Sequence, residues 1–225
     1  MSDKLISKET EWSRVAEELK AEKVKLAFYD DTVISLLGIV KDKKILDYGG
    51  GPGVLALALK KLGASVEEYD ISEDMRKQAS EKIGEENIYH SIEEIPRNEF
   101  NLIICNLVLC IVSEDEVKRI VTNIKNALNE NGFAFIGFCN PKLFDIPETN
   151  LDLRPKPKHK YGENHSYMKT KKEGGYQIIE NHRSIEWYEK MYKKLGLKLV
   201  DTFFTPEYEL KRRKIKDFII FKLKK

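Results

Sequence analysis

The sequence predicts a doubly wound α/β fold, with a mostly parallel seven-stranded sheet and an antiparallel C-terminal edge hairpin. Short apolar runs of strand character alternate with stretches whose apolar residues recur at helical spacing. Glycines stop several of these elements. Such alternation is typical of parallel βαβ units, and a length of 225 residues fits one domain of this class.

The first half of the chain supplies two of these units. Residues 9–40 carry apolar side chains at helical spacing, which predicts two N-terminal helices. A strand at 45–48, a glycine loop, a helix at 54–62 and a strand at 64–69 follow. Gly63 is a helix stop, and Ser72 is placed to cap the next helix.

The second half continues the pattern with a weak strand at 87–90 and a strand at 100–105. Ser113 and Glu116 stand in capping-box spacing at the start of a helix that we expect to end at Asn131-Gly132. The remaining predicted elements are a strand at 133–138, a helix at 184–195 and strands at 198–204 and 216–223. No helix-length pattern separates the last two strands, so we expect an antiparallel hairpin there.

The composition of the chain limits the classes of function that it can have. Lys and Arg number 39 against 37 Asp and Glu, which gives a net charge of +2. This balance disfavours a nucleic-acid coat or an acidic disordered tail. No apolar run is long enough to span a bilayer, and the N-terminus has charges where a signal peptide needs apolar residues. Three cysteines inside apolar runs fit a reducing compartment, so we expect a cytoplasmic protein with buried free thiols.

The segment 141–183 interrupts the alternation at the carboxyl end of a predicted strand. It contains four prolines, three of the four histidines and a pair of glycines. Long loops at this position usually carry ligand contacts. Residues 167–170 and 176–180 predict a small hairpin within it. Its nine basic and six acidic side chains permit an anionic substrate without requiring one.

The strongest local signal is the loop Asp47-Tyr48-Gly49-Gly50-Gly51-Pro52-Gly53 between a strand and a helix. Glycines there let the backbone turn sharply and approach a ligand closely. The spacing G-x-G-x-G differs from the dinucleotide fingerprint, and no Lys-Ser/Thr pair follows as in a phosphate loop. Asp47 is suited to a cationic amino group, and Asp70, at the end of the next strand, to the hydroxyls of a ribose. This arrangement predicts a nucleoside that carries an amino acid.

These residues resemble the class I S-adenosylmethionine-dependent methyltransferases, in particular their small-molecule branch. The loop ILDYGGGPG is similar to the family's first motif, and EEYDIS to its second. SIEEIP with FNLIICNLVLCIV resembles the adenine-contacting segment and fourth strand, and ALNENGFAFIGF the helix-turn-strand that follows. The resemblance covers about residues 45–138. It implies the Rossmann-like methyltransferase fold, S-adenosylmethionine as cofactor and S-adenosylhomocysteine as its product.

The resemblance also implies which residues contact the cofactor. Asp47, Gly49 and Gly51 would bracket the methionine part, Asp70 would hold the ribose, Ile71 would lie against the adenine, Ser91 and Ile92 would lie beside the adenine amine, and Asn106 would face the junction of cofactor and substrate. Ser91 stands where the family usually has an acidic residue, so Glu93 is the alternative.

A hydroxyl or ammonium acceptor would also need a base, and a neutral imidazole is a common choice. His182 is the first candidate because an analogous His-Arg pair, here with Arg183, recurs in similar enzymes; a structural histidine is the competing interpretation. His165 and Glu180 are the reserves. Tyr29 is predicted on the substrate side, as part of a lid, with core packing as the alternative. The histidines lack paired metal-ligand spacing, so no metal is expected.

We therefore expect a single domain made of an N-terminal helical lid (1–40), a cofactor-binding core (41–140), a substrate-side insertion (141–183) and a closing helix and hairpin (184–225). The predicted activity is methyl transfer to an oxygen or nitrogen of a small molecule. Two alternatives stay open: an RNA or protein methyltransferase, supported by the basic stretch 211–214, and a non-catalytic cofactor-binding partner subunit. A membrane partner is not expected, nucleic acid is disfavoured, and the oligomeric state is left open.

Overall fold

The computed structural model describes residues 27–172 and 176–225 of the chain. Helix α1 (Ala27–Leu37) opens the described part. The rest of the N-terminal helical region predicted at 9–40 lies mostly outside the described residues.

The described residues form strands and helices in the predicted alternation. The strands are β1 (Lys44–Tyr48), β2 (Ser65–Tyr69), β3 (Ile88–Tyr89), β4 (Phe100–Asn106), β5 (Leu128–Cys139), β6 (Asp152–Leu153), β7 (His165–Lys171), β8 (Gln177–His182), β9 (Lys198–Phe204), β10 (Tyr208–Leu210), β11 (Arg213–Ile215) and β12 (Phe218–Lys224). The helices after α1 are α2 (Val54–Lys61), α3 (Glu73–Ile83), α4 (Glu114–Ala127) and α5 (Ile185–Lys194).

The main sheet has seven strands in the order β3-β2-β1-β4-β5-β12-β9. Strands β3, β2, β1, β4 and β5 pair in parallel. Strand β12 lies between β5 and β9 and is antiparallel to both. The predicted fold class, including its antiparallel edge hairpin, is confirmed.

Two hydrophobic clusters flank this sheet because alternate strand residues point to opposite faces. Within β4, Ile103 belongs to one cluster and Ile104 to the other. The first cluster contains apolar residues of α4 and α5, and the second those of α1, α2 and α3. Both faces are therefore covered by helices, as a largely parallel sheet requires.

Serine caps start the helices that follow the main strands. Ser72 Oγ accepts a hydrogen bond from the Met75 amide at 3.3 Å, which places α3 directly after Asp70. Ser113 and Glu116 form the predicted reciprocal capping box of α4. Ser184 caps α5 by accepting a hydrogen bond from the Trp187 amide at 3.2 Å. Each cap satisfies amide groups that the helix itself leaves unpaired.

The predicted end of α4 at Asn131-Gly132 is wrong. The helix ends at Ala127, and Leu128 already pairs with Phe100 as the first residue of β5. A register shift follows, and a Cβ at Gly132 would lie 2.8 Å from the Phe100 carbonyl oxygen. Gly132 therefore allows a bulged strand to approach β4, rather than ending a helix.

The insertion forms a second sheet of three strands in the order β6-β7-β8. Strands β7 and β8 make the hairpin that the sequence predicted, in antiparallel register from His165 opposite His182 to Thr170 opposite Gln177. The connection between β9 and β12, where the sequence has no helix-length pattern, contains the two-stranded ribbon β10-β11.

No helix among residues 27–172 and 176–225 is long and apolar enough to cross a membrane.

Helix α1 is seated on the sheet through Tyr29. Its side chain is buried, its ring packs against Phe218 with centroids 4.6 Å apart, and its hydroxyl donates to Asn106 Oδ1 at 2.8 Å. A Cβ at Gly137 in β5 would stand 1.9 Å from the Tyr29 hydroxyl oxygen. The position of α1 thus depends on Gly137, whose lack of a side chain leaves room for the Tyr29 hydroxyl.

We expect Gly137→Ala to lower the free energy of unfolding by ~1–3 kcal/mol, because the added methyl group forces Tyr29 out of its place. Urea denaturation measures this loss. Gly162→Ala is the matched control, since a Cβ there meets nothing within 4 Å. Equal midpoints for the two variants would contradict the packing described.

Candidate functional site

A cavity of about 360 Å³ opens at the carboxyl ends of β1, β2 and β4. Its lining includes the glycine loop that follows β1, Asp70 and Ile71 after β2, and residues 106–108 after β4. Ile92 closes one side and Tyr29 of α1 another. This is the topological position where open α/β sheets bind ligands.

Hydrogen bonds to neighbouring strand ends hold the glycine loop. The Gly49 amide donates to the Tyr69 carbonyl oxygen at 2.6 Å, and the Gly51 amide donates to Asp70 Oδ2 at 3.0 Å. Gly49 has φ +74, and a Cβ there would lie 2.5 Å from Val108 Cγ2. The loop therefore needs glycine at this position for both its conformation and its packing.

Two carboxyl groups lie directly beneath the same loop. Asp47 and Glu68 are paired residues of the neighbouring strands β1 and β2. A Cβ at Gly50 would stand 2.6 Å from Glu68 Cδ and 2.9 Å from Asp47 Cγ. Both side chains are buried, and Asp47 Oδ2 and both Glu68 oxygens have no hydrogen-bond partner among the described residues.

Burial and the charges of neighbouring carboxylates favour the protonated form of both groups. Loss of hydration, and then the charge of Asp47, raise the pKa of Glu68 to about 10. Burial, with the charges of Asp30 and Asp70, raises the pKa of Asp47 to about 7. At neutral pH Glu68 is thus a neutral acid that can donate a hydrogen bond, while Asp47 is close to its midpoint.

Asp70 has a structural role in the loop as well as a place in the cavity wall. Its Oδ2 accepts from the Gly51 amide, and its Oδ1 accepts from the Ser72 amide at 2.9 Å. Burial raises the pKa of Asp70, and these two hydrogen bonds oppose the increase. The carboxylate therefore connects the glycine loop to the start of α3.

Asp30 of α1 is a cavity residue that the sequence analysis missed. Burial, together with the charge of Asp31, raises the pKa of Asp30 to about 6. Asp30, Asp47, Glu68 and Asp70 make this part of the site acidic. No sequence motif marked Asp30, whereas Glu68 had one signal, a charged residue at an inward position of a buried strand.

The structure brings most of the predicted cofactor residues together. Those that line the cavity are Asp47, Gly49, Gly51, Asp70, Ile71, Ile92 and Asn106, and Tyr29 of the predicted substrate side lines it too. Ser91 does not line the cavity. It caps the short 3-10 turn Ile92–Glu94, in a capping box with Glu94. Their roles as ligand contacts stay predictions.

His182, the predicted base, is not a lining residue of the cavity. Its Nε2 lies 2.7 Å from the Tyr161 carbonyl oxygen, and its ring packs 5.1 Å from that of Phe144 and 4.8 Å from that of His165. Burial lowers the pKa of His182, so the imidazole is neutral at pH 7. The reserve candidate His165 lies in the same ring stack, also away from the cavity.

Arg183 holds the segment after β4, which forms part of the cavity wall, from the side that faces away from the cavity. Its guanidinium donates to the carbonyl oxygens of Leu109 and Val112, at 3.1 and 2.7 Å, and packs over the Trp187 ring at 5.2 Å. Val112 itself lines the cavity. Arg183 thus orders the segment after β4 without facing the cavity.

Comparisons with known proteins agree with this geometry. The profile of a family described as "Methyltransferase domain" matches residues 13–202. An S-adenosylmethionine-dependent methyltransferase structure from Clostridium acetobutylicum has a TM-score of 0.65 at 19% identity, covering 96% of this chain and 98% of that one. The likeness shows a shared fold.

Two further relatives differ in what they act on. The 1,6-didemethyltoxoflavin-N1-methyltransferase of Burkholderia thailandensis, solved with 1,6-didemethyltoxoflavin and S-adenosylhomocysteine, has a TM-score of 0.62 at 12% identity, covering 96% of this chain and 84% of that one. A ribosomal protein L11 methyltransferase of Lactobacillus johnsonii is 34% identical over 124 residues, covering 50% of this chain. That match spans only 38% of the relative's length.

The pKa of Glu68 gives a prediction for stability. Since folding raises this pKa from its ordinary value of ~4.3 to about 10, the folded state binds the proton more tightly, and stability falls as pH rises through that interval. We expect Glu68→Gln, which is neutral at every pH, to be more stable than the wild type by roughly 1 kcal/mol or more at pH 8, with the gain vanishing near pH 4.5.

Urea denaturation at several pH values measures the difference. The exposed Glu81→Gln on α3 is the control, which we expect to show no such trend. A gain for Glu68→Gln that is constant across pH would show that Glu68 is ionised in the folded protein.

Proposed function

We propose that this chain, which belongs to the methyltransferase domain family, transfers a methyl group from S-adenosylmethionine to an oxygen or nitrogen of a small molecule. The family match extends over 13–202 and so includes every lining residue of the cavity. The observation that carries the proposal is the acidic cavity at the glycine loop, with Asp70 at the end of the neighbouring strand.

The residues present fit such a cofactor. The buried Asp47 Oδ2 has no hydrogen-bond partner among the described residues, although an ionised carboxylate in this position needs one. The acidic groups of Asp30, Asp47 and Asp70 suit a ligand that carries an ammonium and a sulfonium. The apolar side chains of Ile71 and Ile92 suit the faces of a purine ring.

Each of these residues would have a separate task in binding. Asp47 and Asp30 would hold the cationic amino group, and Asp70 would accept hydrogen bonds from the ribose hydroxyls. Tyr29 and Asn106, joined by their hydrogen bond, would stand where cofactor and acceptor meet. Tyr29 would exclude water from that point, because its ring fills the space between α1 and β12.

The sulfonium of the bound cofactor supplies an activated methyl group. The contribution of the chain is then mainly to hold the acceptor in line with it, and such positioning can supply roughly 7–11 kcal/mol of a barrier. His182 has no step in this mechanism, because its imidazole does not line the cavity and its Nε2 lies 2.7 Å from the Tyr161 carbonyl oxygen.

A small acceptor is supported by the near-neutral charge of the chain and by its likeness, over 96% of its length, to an enzyme solved with a small heterocyclic ligand. A protein acceptor is the second candidate, favoured by the identity to the ribosomal protein L11 methyltransferase. Because less than half of that relative is matched, its substrate is only a hypothesis for this chain.

Transfer of a labelled methyl group tests the proposal. The purified chain is incubated with labelled S-adenosylmethionine and either a small-metabolite extract or ribosomal proteins, and the labelled fraction is identified. We expect label in small molecules and formation of S-adenosylhomocysteine. Label confined to protein would favour the second candidate, and no cofactor binding at all would refute both.

Asp70→Ala should weaken cofactor binding by about tenfold or more, a loss of ~1.4 kcal/mol, because it removes the ribose acceptor and releases the Gly51 amide. Isothermal titration calorimetry measures the affinity. Asp74→Ala, an exposed carboxylate in the first turn of α3, is the control and should bind as the wild type does. Unchanged affinity for Asp70→Ala would contradict the assignment.

Cofactor affinity should rise by about three- to tenfold between pH 5.5 and pH 8. The pKa values of Asp30 and Asp47, about 6 and about 7, mean that both become ionised over this range and can then attract a cation. Binding should accordingly release protons, which calorimetry detects in buffers with different heats of ionisation. Asp30→Asn should reduce this pH dependence, whereas Glu81→Gln, an exposed change on α3 away from the cavity, should keep it.

A further inference from the structure

A second group of reactive side chains lies behind the cavity, between the main sheet and the insertion. Cys139 ends β5, and Cys110 lies in the segment after β4; both are free and buried. Lys169 of β7 donates to Cys139 Sγ at 3.0 Å. The two sulfur atoms and a carboxylate oxygen of Glu180 all lie within 4.8 Å of one another.

The charges around these thiols favour an anion. We call Asp152, Arg154, Lys169, Lys171 and Glu180 the hairpin charge cluster. Lys169, Lys171 and Arg154 all pair with Asp152, at 3.2, 2.7 and 2.8 Å, and Lys169 also pairs with Glu180. The cluster thus has three cationic groups and two carboxylates. Arg154 also faces the buried carboxyl group of Asp217, so an anion at Cys139 is favoured by the direct contact of its Sγ with the Lys169 ammonium rather than by an excess of positive charge.

The same surroundings disfavour a metal ion at these sulfur atoms. Two cysteines and a carboxylate are possible ligands for a soft cation such as Zn²⁺. However, the Lys169 ammonium already contacts both Cys139 and Glu180, so a metal ion would have to displace it while other cations stay close by. The geometry therefore points to thiolate chemistry.

The two cysteines differ in a way that assigns their roles. The neighbouring Cys110 sulfur and then the Lys169 ammonium lower the pKa of Cys139, against burial and the charges of Glu180 and Asp152, while the Cys139 sulfur and then burial raise the pKa of Cys110. Cys110 Sγ lies 3.6 Å from the Leu107 carbonyl oxygen, to which it can donate. Cys105, within β4, lies apart from this pair, and burial raises its pKa.

We propose that Cys139 and Cys110 form a peroxide-reactive thiol site, in which Cys139 is the attacking thiolate and Cys110 the resolving thiol. The Cys139 sulfur attacks a hydroperoxide, an S–O bond forms, the O–O bond breaks, and the departing oxygen takes a proton to leave as water or an alcohol. The Cys110 sulfur then attacks Cys139, the S–S bond forms, and the hydroxyl leaves as water with the Cys110 proton. The two thiols lose two electrons and the peroxide gains them.

Hydrogen peroxide as the probe and the full-length chain test this site. After brief exposure and quenching with an alkylating agent, we expect a mass loss of two hydrogens, a Cys110–Cys139 linked peptide, and Cys105 alkylated as in the untreated protein. Cys110→Ser should stop at a sulfenic acid on Cys139, trapped by a cyclic 1,3-diketone. Cys105→Ser is the matched control and should form the disulfide as the wild type does.

The pH dependence of the reaction rate separates an activated thiolate from an ordinary thiol. We expect the wild-type rate to fall from pH 8 to pH 6 by clearly less than the tenfold per unit that an unperturbed thiol loses below its pKa of ~8.5. Three free thiols after peroxide treatment, equal oxidation of Cys105, or an ordinary thiol profile would overturn the proposal. Retention of Zn²⁺ through native mass spectrometry, lost in Cys110→Ser, would instead identify a metal site.

Discussion

The close approach of the glycine loop to the buried carboxyl groups of Asp47 and Glu68 is the contact on which the whole site depends. A side chain at Gly50 would occupy the same space as both groups, so the loop can lie flat across the strand ends only because Gly50 has none. The carboxyl groups lose their hydration there, and Glu68 is a neutral acid as a result. Burial removes the water that would stabilise the Asp47 carboxylate, and a cationic ligand would replace that stabilisation. The burial that makes an ionised Asp47 costly therefore also gives the site its preference for positive charge.

The remaining walls are held by residues that never face the cavity. Arg183 fixes the segment after β4 through two carbonyl oxygens, and its own position follows from the end of the insertion at β8. Tyr29 fixes α1 against β5 and β12. The cavity thus lies in a core that many related folds share. Two parts of the chain outside that core, α1 and the end of the insertion, support its walls.

Much of the fold and part of the site could be predicted from local patterns. The alternation of strands and helices, the serine caps and the Asp47 and Asp70 positions each have a short-range signal, and the structure has them in place. Distant contacts decide the rest. The end of α4, which was predicted wrongly, depends on β4 pairing with Leu128. His182 was selected for its imidazole and its neighbour Arg183, and its role as a base stays a prediction; the hairpin register directs its ring to Tyr161. Asp30 had no motif, because only tertiary packing brings α1 to the loop.

The hairpin charge cluster has a consequence for how this region can change over evolutionary time. Its ion pairs share one partner, Asp152, so replacing Asp152 alone would leave buried positive charges without that partner, at a cost of several kcal/mol. Replacement of Asp152 alone should therefore be strongly destabilising, whereas joint replacement of the paired residues by apolar residues of similar volume should be tolerated. In related proteins, the buried charged positions of the insertion should consequently change together. Its exposed lysines, in contrast, can be replaced one at a time.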